Sequence, residues 1–251
     1  MLETKEGVSE NMAGDSPLKN LYIILLEPRI PENVGSSARA CANFGVENLI
    51  IVNPINFDWE RAKTTATRIG LPVLQRMKVY DNLSDATKEL NYLIGTTARL
   101  GHHRKVHSSL KEAAPRIASM LIKNRVGVLF GNEKWGLTNQ ELYMCNEAIT
   151  IPTHNSTSLN LSHSVAVCLY EIYQQALKPS IPTPELATLE DQKIMYDYIR
   201  RACETINFVP HHNTELWMTN IKRLLSRIQL SRREAKIITG FCRRIIKVMQ
   251  K

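Results

Sequence analysis

The sequence predicts an α/β fold: a mostly parallel sheet with helices on both faces, followed by a small C-terminal helical module. Three observations predict it. Continuous apolar runs, such as Leu21-Tyr-Ile-Ile-Leu-Leu26 and Val126-Gly-Val-Leu-Phe130, have the character of strands buried on both faces. Helical patterns lie between such runs up to about residue 177, and alternating β and α segments imply a parallel sheet. Beyond Lys178-Pro-Ser-Ile-Pro-Thr-Pro184 strand patterns stop and only helical ones remain.

Taken in order, residues 1–19 read as a flexible N-terminal arm, polar at first and without the apolar stretch of a signal peptide. The first strand, Leu21–Leu26, is ended by Pro28 and Pro31. A helix follows from about Gly35 to Phe44, with Ala38, Cys41 and Ala42 on one face and Gly45 just past its end. Leu49–Val52 is the next buried strand, completing a β-α-β unit. Further strands are expected at Tyr92–Gly95, Val126–Phe130 and Ala148–Ile151, and helices at Ala113–Lys123 and Asn139–Cys145. Leu159–Leu177 is a long amphipathic helix, with Leu161, Val165, Cys168, Leu169, Ile172 and Ala176 at helical spacing.

This gives an α/β domain over 20–177, a Pro-rich linker over 178–186 and a helical extension over 187–251. In the extension, Asp191–Thr205 reads as a helix. Glu215–Gln229 places Trp217, Ile221, Leu224, Leu225 and Ile228 on one face, with Lys222, Arg223 and Arg227 largely opposite. Ser231–Met249 repeats the scheme with Ile237, Ile238, Phe241, Ile245 and Val248, and carries Arg232 and Arg233 at its start.

The net charge of +8 is concentrated at one end. From Ile221 to Lys251 there are ten Lys or Arg against the single acid Glu234, while the other 220 residues hold 22 bases and 23 acids. Such asymmetry points to a polyanion such as RNA, the alternative being a solvated basic face. Five scattered cysteines form no Cys-x-x-Cys pair, and the histidines lack ligand spacing, so neither a disulfide framework nor a metal site is expected. No apolar run is long enough to span a bilayer, and reduced thiols suit a cytoplasmic protein.

Three strand-exit loops carry candidate chemistry, because ligands of α/β proteins bind at the C-terminal ends of parallel strands. They are Asn33-Val-Gly35-Ser-Ser-Ala-Arg39, then Phe130-Gly131-Asn132-Glu133-Lys134-Trp135-Gly136-Leu137, then Ile151-Pro152 followed by Ser156-Thr157-Ser158-Leu159-Asn160-Leu161-Ser162. Singly, each is also readable as an ordinary turn or helix cap. Neither Gly-x-Gly-x-x-Gly nor a P-loop occurs, which argues against a dinucleotide oxidoreductase or an NTPase.

Together, in this order, the loops resemble the SPOUT superfamily of RNA methyltransferases, in the branch that methylates ribose 2'-oxygens. Gly95-Thr96-Thr97-Ala98-Arg99 and the basic extension resemble, more narrowly, the TrmJ family of bacterial tRNA (cytidine/uridine-2'-O-)-methyltransferases. The resemblance covers roughly residues 20–177 and implies a trefoil knot, a homodimer, S-adenosylmethionine as cofactor and tRNA as partner, with cytidine or uridine at anticodon-loop nucleotide 32 as target. It implies a catalytic set of Asn33, Arg39, Glu133, Ser158 and Asn160, and cofactor contacts from Thr96, Thr97, Ala98, Gly131, Ile151, Ser158, Leu159 and Asn160. Arg39, Lys222, Arg223, Arg227, Arg232 and Arg233 are the expected RNA contacts. Arg39 stays charged, so its expected role is to hold a phosphate and stabilise a developing alkoxide, with Glu133 orienting Arg39 or the loops. Asn132 departs from the basic residue common in this motif, and Trp135 replaces a smaller apolar one. Alternatives are a 2'-O-methyltransferase acting on rRNA or another tRNA position, and a non-catalytic RNA-binding protein with a relic cofactor pocket.

Overall fold

The computed structural model describes residues 16–98, 108–156, 158–208, 213–226 and 228–250. Seven strands form one sheet in the order β3-β2-β1-β6-β4-β7-β5, and every pairing is parallel. The strands are β1 (Leu21–Leu26), β2 (Asn48–Val52), β3 (Lys78–Tyr80), β4 (Tyr92–Thr96), β5 (Ser108–Ser109), β6 (Val126–Phe130) and β7 (Glu147–Thr150). Between them run α1 (Pro31–Asn43), α2 (Trp59–Arg76), α3 (Leu83–Thr87), α4 (Leu110–Leu121) and α5 (Asn139–Met144); α6 (Leu161–Ala176) follows β7.

The alternation along β1 explains the two layers. Leu21, Ile23 and Leu25 enter one core with α1, α2, α4 and α6, while Ile24 and Leu26 enter a second with α3 and the residues around α5. In-register pairing of Leu21 with Val126 and of Ile23 with Val128 keeps this division across neighbouring strands. The β7 carboxylate Glu147 is buried and fastens the sheet edge: it accepts from Ser108 Oγ at 2.7 Å and Tyr92 Oη at 3.3 Å, and pairs with Arg116 of α4. Burial, and then the nearby carboxylate, push the Tyr92 hydroxyl well above the usual phenol value.

Several boundaries differ from the sequence reading. The arm expected over 1–19 ends earlier, since Leu18 is fully buried in the core; residues 1–15 lie outside the described residues. Helix α1 starts at Pro31 rather than near Gly35, with proline at its first position where the missing N–H costs nothing. Gly35 lies inside this helix because α2 crosses there: a Cβ on Gly35 would sit 1.8 Å from the Ala62 carbonyl oxygen. Helix α2 carries no earlier expectation; Pro72 within it and a break at Thr67, at φ 57°, obscure its periodicity.

The Pro-rich segment is strapped to the α/β body. Asn124 Nδ2 donates to the Pro184 carbonyl at 3.0 Å, and Leu186 N donates to Asn124 Oδ1 at 2.8 Å. Beyond it, α7 (Leu189–Thr205), α8 (Thr214–Leu225) and α9 (Arg232–Met249) share a small core of Ala187, Met195, Ile199, Ala202, Met218, Ala235, Cys242 and Ile246. The faces expected inside are corrected here. On α8, Met218 is buried, with Ile221 and Leu225 packed beside it, whereas Leu224 is exposed, as is Ile228 just beyond the helix. On α9, Ile237, Phe241 and Val248 are exposed, because Ala235, Cys242 and Ile246 face α7.

All five cysteines are free thiols, and burial pushes those of Cys41, Cys145 and Cys168 up to about 12 from the ordinary 9.0. The fold therefore favours their neutral form. Their contribution to stability is complete below pH 9.0 and is lost as pH rises toward 12. Thiol titration of the native protein at pH 8 is expected to modify half-buried Cys203 and spare these three until denaturant is added.

Candidate active site

All strands being parallel, the exits of β1, β6, β4 and β7 open on one edge of the sheet, and a single chain of hydrogen bonds ties three of their loops together. Glu133, in the loop after β6, accepts from the backbone N–H of Arg29 at 2.9 Å and of Ile30 at 3.2 Å, at the entry to α1. Its Oε1 also accepts from Asn33 Nδ2 at 2.9 Å. Asn33 is buried, and its Oδ1 accepts from Asn160 Nδ2 at 3.0 Å. Asn160 is the N-cap of α6: its Oδ1 accepts from Ser162 N at 2.9 Å and Ser162 Oγ at 2.8 Å. Asn33 thus uses both ends of its amide, one toward each neighbouring loop, while Asn160 joins Asn33 to the first turn of α6. Glu133, Asn33 and Asn160 link the three loops, and the Glu133 bonds run to the entry of α1 rather than to Arg39.

Beside this chain lies a cavity of about 340 Å³, of ligand-binding size. Thr96, Thr97, Ala98, Gly131, Ile151, Ser158 and Leu159 line it, as the resemblance implies. Glu133 reaches it, but Asn160 does not line it; that side chain is occupied in capping α6. The buried side chains of Phe130, Leu137 and Leu161 also line the cavity, and Trp135 and Lys134 stand on its rim; none of these was expected. Phe130, Leu137 and Leu161 belong to the motif loops, but no ligand contact is expected of them from the sequence. Gly131 is required by close approach, since a Cβ there would lie 2.2 Å from the Gly136 carbonyl carbon. Arg99 lies outside the described residues, as does Thr157.

Arg39 stands apart. It is six residues beyond Asn33 on α1, about 9 Å along the axis, and points to solvent while Asn33 points inward. Its backbone abuts Gly70 of α2, where a Cβ would come within 2.6 Å, so α2 fixes where this guanidinium is presented. It lies outside the cavity lining, and among the described residues its side chain makes no ion pair.

Comparison with known proteins gives this geometry a family. The model of the SpoU rRNA Methylase family matches residues 20–170, and that of the tRNA methyltransferase TrmJ C-terminal domain matches residues 190–251. The chain belongs to the SpoU methylase family. It is 32% identical to the tRNA (cytidine-2'-O-)-methyltransferase TrmJ of Methanocaldococcus jannaschii, over 86% of this chain and 95% of that protein. It is 30% identical to the tRNA (cytidine/uridine/adenosine-2'-O-)-methyltransferase TrmJ of Pseudomonas aeruginosa, over 89% of this chain and 92% of that protein. Among solved structures, TrmJ from Z. mobilis ZM4 superposes with a TM-score of 0.74 at 25% identity, covering 92% of this chain and 99% of that one. The SPOUT-type methyltransferase fold expected from the three loops rests on this membership.

The SpoU-type domain is followed by a basic module whose expected RNA contacts separate into two groups. Arg232 and Arg233 are exposed on α9, Arg232 also pairing with Asp191 at 3.2 Å, and neighbouring Lys236 joins them. Lys222 is half-buried: its ammonium donates to the Tyr143 carbonyl, and burial pushes its pKa down. Arg223 is half-buried, and Arg227 lies outside the described residues. Arg243 and Arg244, not singled out by sequence, add to the exposed face.

Proposed function

We propose that this chain transfers a methyl group from S-adenosylmethionine to the 2'-hydroxyl of a tRNA ribose, at cytidine or uridine in anticodon-loop nucleotide 32. The observation that carries this reading is the Glu133–Asn33–Asn160 chain, which closes three motif loops around one cavity. The cavity suits the cofactor in size and in kind: a side-chain-free backbone at Gly131, small Thr96, Thr97 and Ala98, and an apolar floor. When bound, S-adenosylmethionine supplies a methyl group made electrophilic by positively charged sulfur.

The protein's own share is alignment and charge. Ser158 offers a hydroxyl at the cavity for orienting the acceptor ribose. Arg39, permanently charged and exposed on α1, holds a phosphate of the acceptor strand, and the 2'-oxygen gives its proton to solvent water as it takes the methyl group. Glu133 is not the base, since three donors already occupy its oxygens. The exposed basic face of α9 grips the tRNA body. Replacing Arg233, Lys236 and Arg244 together by Gln is expected to weaken tRNA binding about tenfold or more near physiological salt. The salt slope should fall by roughly two to three, with cofactor affinity unchanged. Equal loss of both affinities would contradict a separate RNA-gripping face.

A second reading places the methyl on nucleotide 34, after a solved protein described by 2'-OH methylation of C/U34 on tRNA. That protein matches 62% of this chain at a TM-score of 0.51, too little to include the whole chain, whereas the TrmJ relatives extend over most of it. The test is to methylate a total tRNA pool and map the modified ribose. Label at nucleotide 32 supports the proposal, label at 34 the second reading, and an unlabelled tRNA pool overturns both.

The reading includes a homodimer, a cytoplasmic location and a trefoil knot. Exposed Val167 and Tyr170 on α6 and Leu177 at its end support a second copy, and light scattering would test it. Strand β4 lying between β6 and β7 is compatible with a threaded chain. Among the described residues no helix is long and apolar enough to cross a membrane.

A further inference from the structure

The loop after β6 ends in a hairpin that walls the cavity and also carries an exposed aromatic ring. Residues 132–136 form a tight hairpin in which Gly136 N donates to the Asn132 carbonyl at 2.9 Å. The Asn132 side chain accepts from the N–H groups of Lys134 at 3.1 Å and Trp135 at 2.8 Å, so the residue that departs from the family's basic one shapes the turn. Glu133 pins one side of the hairpin to α1, and buried Leu137 pins the other to the core. On this fixed support Trp135 is 58% exposed at the cavity rim, with Lys134 Nζ lying 4.7 Å from its ring centroid.

An exposed indole on a loop anchored at both ends keeps hydrophobic area available. A residue that only walled a cofactor pocket would be more enclosed, as Phe130, Leu137 and Leu161 are. An aromatic face next to a lysine is the pairing that takes unpaired nucleic acid: the ring stacks on a base and the cation meets its phosphate. An acceptor ribose brought to this cavity carries its base with it, and Trp135 is the exposed aromatic ring among the cavity-lining residues.

We propose that Trp135 is the stacking platform for a base of the unpaired RNA segment entering the site, with Lys134 as the cation for its phosphate. The proposal rests on the RNA-ribose reading above and adds a substrate-positioning residue to it. Stacking tolerates any base, so Trp135 holds the acceptor strand without choosing cytidine over uridine.

The test is steady-state methylation of tRNA by the full chain carrying Trp135→Ala, Trp135→Leu or Trp135→Phe, with cofactor affinity measured separately by calorimetry. Trp135→Ala and Trp135→Leu are expected to raise the KM for tRNA about tenfold or more, while Trp135→Phe stays within about threefold of wild type. Cofactor Kd should remain within about twofold in all three. An unchanged tRNA KM in Trp135→Ala, a Trp135→Phe as poor as Trp135→Leu, or a cofactor Kd that moves in step with the tRNA KM would overturn the platform. A wild-type protein that methylates no tRNA would overturn the underlying reading as well, and the wild-type assay tells that case apart.

Discussion

Asn33→Ala is expected to lower kcat by about a hundredfold or more while leaving a folded protein. The substitution empties the middle of the chain that joins the three loops. Glu133 loses one of its donors, and Asn160 Nδ2 loses its acceptor. Unpairing such groups costs about 1–3 kcal/mol of stability, which a thermal melt would show as a modest shift. The larger effect falls on rate, because a displacement of about 1 Å in the loops that align two reactants costs on the order of a hundredfold. Glu133→Gln should behave similarly, since its new NH2 group faces donors from Arg29, Ile30 or Asn33. The double substitution should cost little more than either alone, as expected for one connected network. Additive losses in kcat would show that the two residues act independently.

Gly131→Ala is expected to weaken S-adenosylmethionine binding by about a hundredfold or more. The added methyl would lie 2.2 Å from the Gly136 carbonyl carbon and 2.4 Å from Leu137 N, both backbone atoms that cannot swing aside. Overpacking of this kind costs about 1–3 kcal/mol, and relief comes only by moving the hairpin that walls the cavity. Gly136→Ala is the matched control. Nothing lies within 4 Å of its Cβ position, and only its φ of +65° opposes the change, so about 1 kcal/mol of strain and a mild loss of affinity are expected. Calorimetry on both variants checks the ranking; equal affinities would mean that the Gly131 contact does not shape the cofactor wall.

The central strands were legible because both of their faces are buried, leaving apolar runs at β1, β2, β4 and β6 that need no partner to be read. Helix α2 was illegible because its contacts with α1 use Ala62, Ala66 and Gly70, too small to mark a hydrophobic stripe. The start of α1 was read late for a related reason: Gly35 looks like a loop residue in sequence, yet it is the point of closest approach between two helices.

At the site, motif order identified the three loops, but not what joins them. Two of the three Glu133 donors are backbone N–H groups, of Arg29 and Ile30, which carry no side-chain signal. Asn160 is expected in both the catalytic and the cofactor sets, and the sequence does not reveal that its side chain joins Asn33 to the start of α6. In the helical module, period alone could not choose between apolar stripes. Ile237, Phe241 and Val248 form as good a stripe as the one that is buried, and the bond from Lys222 to the Tyr143 carbonyl of α5 has no sequence signal.

The central claim is that the cavity beside the Glu133–Asn33–Asn160 chain is a working S-adenosylmethionine site rather than a relic in an RNA-binding protein. Titration calorimetry of the full chain with S-adenosylmethionine tests it most directly. The expected result is saturable binding at one site per chain, weakened strongly by Gly131→Ala and left unchanged by loss of the α9 charges. Absence of cofactor binding by the folded wild-type protein would contradict it.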